Sequence, residues 1–100
     1  MRRAARTDPN QQTIINALKR AGCTVQDLSK VGGGCPDLLA ARGGKMWLLE
    51  VKSPAGPKGG CSAKGQRLNG LQQMWAAGWR APVAVVTSVD EALAAVGAVR

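Results

Sequence analysis

The sequence predicts a single α/β domain whose elements follow the order helix, three strands, helix, strand, helix. Apolar residues recur at helical spacing over residues 14–18, near the start of the chain. Two apolar runs, residues 38–41 and 46–49, are joined by a glycine pair and predict a β-hairpin, and residues 83–87 form a β-branched run between two helical patterns. We therefore expect a mixed sheet with a central antiparallel hairpin and helices against its faces.

The composition indicates a small and strongly basic domain. A chain of 100 residues forms one domain with a small core, because so short a chain buries only about 60–65% of its unfolded surface. Lys and Arg number 14 against 6 Asp and Glu, which gives a formal net charge of +8. A polyanion such as nucleic acid is the natural partner of such a surface, and a merely solvated basic surface is the alternative.

The cysteines and the apolar segments indicate the cellular compartment in which we expect the protein. Three cysteines without a C-x-x-C spacing, and no histidine, argue against a zinc site or a disulfide framework. Free thiols are typical of a reducing compartment. No apolar run approaches membrane-spanning length, and none follows the basic N-terminus as in an export signal. We expect a cytoplasmic protein without a membrane partner.

The N-terminal region is expected to have two parts, an arm and the start of the folded domain, which meet at residue 8. Residues 1–7 carry three arginines without apolar periodicity, so we expect a flexible basic arm ahead of a single domain that spans residues 8–100. Asp8 and Pro9 have the pattern of a helix N-cap followed by proline at the first helical position. This first helix is expected to end near Gly22.

A glycine triplet, residues 32–34, follows a predicted first strand at residues 25–31. Because proline and a strand follow the triplet, where a phosphate-binding loop would open a helix, we expect no nucleotide cofactor. The glycines are expected to permit a tight bend and the close approach of a DNA backbone. Pro36 removes a backbone N–H donor directly before Asp37.

The predicted hairpin gathers three charged residues at its open end. With Gly43 and Gly44 as the loop residues, Asp37 faces Glu50 across the two strands. Lys52 lies two residues beyond Glu50 and therefore on the same face. Two carboxylates this close repel each other unless one is protonated or a cation lies between them, and the simplest such cation is a divalent metal. A solvated Glu–Lys pair beside an unrelated Asp is the alternative interpretation.

The second half of the chain predicts a loop, a helix, a strand and a last helix. Residues 53–60 are rich in proline and glycine and leave the open end of the hairpin, where a substrate would bind. A helix is expected from about Ser62, with an apolar stripe more typical of core packing than of base stacking. The stripe consists of Leu68, Leu71, Trp75 and Trp79. A strand at residues 81–87 and a helix opened by the Ser88-x-x-Glu91 capping box complete the order.

The residues around the charged cluster resemble a nuclease family. Pro36-Asp37 followed by Glu50-Val51-Lys52 resembles the signature of the PD-(D/E)XK nuclease superfamily. Gly-Cys-Pro-Asp-Leu-Leu at residues 34–39 and Leu-Leu-Glu-Val-Lys at residues 48–52 are similar to the virus-type replication-repair nuclease (VRR-NUC) domain. The similarity extends roughly from residue 8 to residue 97, and it implies a restriction-endonuclease-like core.

The resemblance implies a metal-dependent phosphodiester hydrolase. The implied catalytic residues are Asp37, Glu50, Lys52 and Gln66. Mg²⁺, or Mn²⁺ in its place, would be bound by the two carboxylates and, by resemblance, by the backbone carbonyl of Val51. Lys52 would either orient or deprotonate the attacking water or stabilise the transition state as a fixed cation. Residues 63–65, Ala-Lys-Gly, depart from the Thr-Pro-acid sequence that precedes this Gln in the family.

DNA contacts are expected near the open end of the hairpin. Lys58, Lys64 and Arg67 follow this end in sequence and are expected to contact phosphates, and the resemblance adds Gln11, for which a solvated first-turn position is the alternative. We expect selection by DNA shape, because no recognition-helix motif is present.

The resemblance to stand-alone VRR-NUC domains implies a homodimeric, structure-selective endonuclease. Its substrate would be branched DNA such as Holliday junctions or flaps. The resemblance also implies a phage protein, which would act in the cytoplasm of a bacterial host cell. The alternatives are a non-catalytic nucleic-acid-binding module with a nuclease-like fold and a protein-interaction domain in a replication complex.

Overall fold

The computed structural model describes residues 9–53 and 67–98. The elements are α1 Pro9–Arg20, β1 Thr24–Asp27, β2 Leu38–Arg42, β3 Lys45–Val51, α2 Gly70–Trp79, β4 Val83–Val86 and α3 Val89–Ala95. This is the predicted order of a small α/β domain. The expected basic arm, the Asp8 cap, Lys58, Lys64 and Gln66 lie outside the described residues.

The four strands form one mixed sheet in the order β1-β2-β3-β4. The pairs β1–β2 and β2–β3 are antiparallel, and β3–β4 is parallel. Gly43 and Gly44 have φ angles of 60° and 85°, which the tight turn between β2 and β3 requires. Leu38 therefore pairs with Leu49, and the predicted register of the hairpin is confirmed.

One face of the sheet carries the hydrophobic core. Buried side chains of β2 and β3 pack there against α1 and α3, and each large one contributes about 1.5–3 kcal/mol by leaving water. The fully buried large residues include Ile14, Leu18, Leu38, Leu49 and Val96. Arg42 ties the ends of the two helices to the hairpin, because its guanidinium donates to the carbonyls of Ala21, Val96 and Gly97.

The opposite face is only partly covered by α2. None of the ten residues of α2 is buried, and Leu71 and Trp79 are 57% and 68% exposed. Trp75 stacks on Trp79 with ring centroids 5.4 Å apart. An apolar groove of about 400 Å³ opens between these rings and the sheet residues Leu39 and Leu48. The prediction that the α2 stripe packs as core is therefore wrong for Leu71 and Trp79.

Two predicted boundaries are corrected. The first strand ends at Asp27, because a turn follows in which the Val31 N–H donates to the Leu28 carbonyl over 2.9 Å. Helix α2 begins at Gly70, whereas a start near Ser62 was expected, and residues 67–69 are not helical. Asn69 caps the helix reciprocally with Gln72: each side chain accepts the other's backbone N–H, over 2.9 Å and 2.8 Å.

The last helix follows its predicted cap. Ser88 is the N-cap of α3, and its hydroxyl accepts the Glu91 N–H over 3.1 Å. In a standard capping box the Glu91 carboxylate would accept the backbone N–H of Ser88. Here it accepts the N–H and the hydroxyl of Thr87, one residue earlier. Within residues 9–53 and 67–98, no helix is long and apolar enough to cross a membrane.

Candidate active site

The two acids meet at the open end of the hairpin. Continuing the register of β2 and β3 by one residue places Asp37 opposite Glu50. Asp37 is held by its own hairpin, because its Oδ2 accepts the Val51 N–H over 2.9 Å. The two carboxyl groups are close enough to share a hydrogen bond when one is protonated. The structure therefore brings together the two side chains that the glycine turn predicts.

Burial makes this pair difficult to ionise. Glu50 is only 6% exposed, and burial followed by the neighbouring Asp37 charge raises its pKa from 4.5 to about 7. Burial also raises the pKa of Asp37, although the Val51 N–H and the Lys52 ammonium oppose the change. Without a cation, the pair therefore retains a proton up to about neutral pH.

Lys52 supplies the positive charge beside the acids. Its Nζ lies 3.8 Å from Glu50 Oε2, and its side chain is 17% exposed. Its backbone is fixed on both sides: the Lys52 N–H donates to the Val86 carbonyl over 3.0 Å, and Asn10 Nδ2 donates to the Lys52 carbonyl over 3.2 Å. Asn10 also donates to the Thr87 carbonyl over 3.2 Å. The first turn of α1 thereby joins the ends of β3 and β4 below the ammonium group.

Gln72 completes the cluster and is the site residue that sequence reasoning missed. Its Nε2 donates to Glu50 Oε2 over 2.7 Å, and its Oε1 accepts from Lys52 Nζ over 3.2 Å. The resemblance points to Gln66, six residues earlier, which lies outside the described residues. The available signal was the Asn69-x-x-Gln72 pattern, which marks a helix start and places a Gln in its first turn.

One carboxylate oxygen of the site has no donor. Glu50 Oε1 is buried and accepts no hydrogen bond from the residues that the structure describes. Continuing the hairpin register by two residues places Pro36 opposite Val51. Because proline has no N–H, it cannot donate to the Val51 carbonyl in the ladder. The open end of the hairpin is thus rich in oxygen acceptors.

These oxygens fit a magnesium or manganese ion. Mg²⁺ accepts one or two protein carboxylates and fills its other positions with water and phosphate oxygens. Asp37 and Glu50 Oε1 offer the carboxylates, and Val51, whose N–H donates to Asp37, directly follows Glu50 in the chain. A cage of three or more Asp, Glu, His or Cys side chains is absent from the described part of the chain. A site of this kind would therefore depend on water or substrate for most of its ligands.

A second pair of polar residues, Asp27 and Gln11, lies close enough to the site to affect Asp37. The Ser29 hydroxyl and N–H donate to Asp27 and hold its pKa below the usual value. Gln11, 5% exposed, donates to the other oxygen of Asp27 over 3.4 Å. The Asp27 charge in turn raises the pKa of Asp37. The DNA contact expected of Gln11 stays a prediction, and its burial does not favour it.

Two other residues, Arg67 and Cys35, are candidates for the site because of their charge or position. Arg67, three residues before the start of α2, is exposed and lines a surface hollow with Asn69. Burial, then the Asp37 and Glu50 charges, raise the pKa of the Cys35 thiol, so that it stays protonated at neutral pH. Cys35 is therefore a poor nucleophile despite its place beside the acids.

Comparison with known proteins gives no match. No family model matches the chain, and no curated protein and no solved structure is significantly similar to it.

Proposed function

We propose that this protein is a Mg²⁺- or Mn²⁺-dependent DNA endonuclease of the VRR-NUC type. The observation that carries the proposal is a buried acid, Glu50, with an oxygen that lacks a donor, opposite the partly buried Asp37 and beside a fixed lysine in a strongly basic protein. A structural ion pair does not require a second acid, whereas a phosphodiesterase site of this kind uses both acids to bind a cation.

Each residue has a defined part in this mechanism. Asp37 and Glu50, with the Val51 carbonyl, would hold the cation, which supplies a more acidic bound water and neutralises charge that builds on the scissile phosphate. Lys52, whose side chain is 17% exposed, would accept a proton from the attacking water if it is in its neutral amine form, or would stabilise negative charge on the transferring phosphate as an ammonium. Gln72 orients both Glu50 and Lys52 through its amide.

The substrate is proposed to be branched DNA. The formal net charge of +8 supports binding to phosphates, and Arg67, five residues before Gln72 in the chain, is exposed. Branched DNA and a homodimer follow from the family resemblance, since a twofold dimer presents two sites to a twofold-symmetric junction. Cytoplasmic action is part of the same proposal, and the free Cys23 and Cys35 thiols agree with a reducing compartment.

A junction-cleavage assay tests the proposal. Four-way and flapped DNA are incubated with the protein in Mg²⁺, Mn²⁺ or EDTA, and cleavage and binding are measured in parallel. Asp37→Asn should abolish cleavage and leave binding within about twofold, because one of the two anionic metal ligands is lost. Asp90→Asn, at an exposed acid of α3, is the matched control and should cleave normally.

The same assay identifies the competing function. Binding of junctions without cleavage in any metal, unchanged by Asp37→Asn, would replace the endonuclease with a non-catalytic nucleic-acid-binding module. Sedimentation equilibrium at assay concentrations tests the homodimer independently, and a monomer would remove that part of the proposal.

A further inference from the structure

One glycine contacts the first turn of α2 unusually closely. A Cβ built on Gly34 would lie 2.4 Å from the Leu71 carbonyl oxygen, 2.8 Å from its carbon and 3.2 Å from the Gln72 nitrogen. The other eight described glycines have no atom within 4 Å of such a Cβ. Any side chain at residue 34 must therefore displace α2 or the turn at residues 32–34.

Among residues 9–53 and 67–98, few other contacts fix the position of helix α2. None of its residues is buried, so apolar packing does not set its distance from the sheet. Its polar links to β3 run through Gln72, which bonds Glu50 Oε2 and the Lys52 ammonium. The close contact with Gly34 is made by the residue directly before Gln72, so it acts on the backbone that carries this side chain.

The Gln72 side chain is coupled to the helix backbone. Its Oε1 accepts the Asn69 N–H over 2.8 Å and the Lys52 ammonium over 3.2 Å, which leaves the Nε2 directed at Glu50. Because the helix cap holds this conformation, a shift of the first turn moves the amide with it. A shift of about 1 Å would break a 2.7 Å hydrogen bond.

We propose that Gly34 is a positioning residue of the active site, which seats the first turn of α2 so that Gln72 bridges Glu50 and Lys52. The absence of a side chain at residue 34 lets the two backbones approach, and this approach sets the position of Gln72, 38 residues further along the chain. Its effect on catalysis rests on the proposed endonuclease function, whereas its effect on Gln72 does not.

The turn itself offers matched controls. Gly32, Gly33 and Gly34 have φ angles of 78°, 66° and 87°, so alanine is strained at each of them. Only at residue 34 does the added methyl group also meet α2. Gly32→Ala and Gly33→Ala therefore report the cost of strain in the turn, and Gly34→Ala reports strain together with displacement of the helix.

The first test is junction cleavage by these variants. Gly34→Ala should reduce kcat by about tenfold to a hundredfold, and Gly22→Ala, where φ is also positive and an added Cβ meets no atom within 4 Å, by less than about threefold. In a Gln72→Ala background, Gly34→Ala should cause no further loss, because its effect passes through the missing amide. Independent, multiplicative losses would overturn the proposal.

The second test needs no cleavage. In ¹⁵N-labelled protein, the side-chain NH₂ signals of Gln72 are identified by their loss in Gln72→Ala. These signals should move toward values for a solvent-exposed amide in Gly34→Ala and stay unchanged in Gly33→Ala. Unchanged signals in Gly34→Ala would refute the proposal, and this result can be obtained even if the wild-type protein cleaves no DNA.

Discussion

Replacing Glu50 with glutamine should stabilise the metal-free protein at alkaline pH. Burial and the Asp37 charge raise the pKa of Glu50 from 4.5 to about 7. Since one pH unit corresponds to about 1.36 kcal/mol, ionising this carboxyl costs about 3 kcal/mol more in the folded protein than in the unfolded chain. Glu50→Gln removes that cost, and its amide can still accept from Gln72 and can donate to Asp37.

The sign of the pH dependence follows from proton binding. Between pH 4.5 and about 7 the folded protein retains the Glu50 proton, while the unfolded chain loses it. The folded state binds more protons, so the contribution of Glu50 to stability is full below pH 4.5 and decreases as the pH rises to about 7. It is fully lost above that pH. The variant lacks this contribution at every pH.

Urea denaturation in EDTA measures the effect. At each pH the unfolding free energy of wild type is subtracted from that of Glu50→Gln. This difference should increase by about 1–3 kcal/mol from pH 4 to pH 8. For a domain of this size the increase amounts to several degrees or more in Tm. Asp90→Asn is the control. Addition of Mg²⁺ at pH 8 should stabilise the wild type and leave Glu50→Gln nearly unchanged.

Two results would refute this reasoning. A difference between Glu50→Gln and wild type that is the same at pH 4 and pH 8 would mean that Glu50 ionises normally in the folded protein. A wild type that gains stability relative to the variant as the pH rises, in EDTA, would mean that Lys52 outweighs burial and the Asp37 charge.

Two further predictions concern Lys52 and the two faces of the sheet. Lys52→Ala should lose cleavage by about a hundredfold or more while junction binding by gel shift stays within about threefold; an equal loss of both would make Lys52 a phosphate contact. Leu38→Ala should cost about 2–5 kcal/mol of unfolding free energy in urea, because Leu38 is fully buried, whereas Trp79→Ala should cost under about 1 kcal/mol, because Trp79 is 68% exposed. Equal costs would contradict the assignment of the core to one face.

The hairpin and the pairing of its two acids follow from local residue patterns. Gly43 and Gly44 accept the positive φ angles of a two-residue turn, and the two-residue period of a strand then sets every pairing out to Asp37 and Glu50. The cap of α3 at Ser88 is equally local, because a hydroxyl bonds a backbone N–H three residues away. Such features depend on neighbouring residues and can be read directly.

The completion of the site by Gln72 and the ionisation of its acids depend on packing between distant segments. Gln72 reaches Glu50 because the turn at Gly34 admits α2 closely, and no local pattern encodes a contact between segments so far apart. The raised pKa of Glu50 likewise depends on burial by several elements at once. The exposure of Trp79 has the same origin, since an apolar stripe shows that a helix can pack but not how closely it does so.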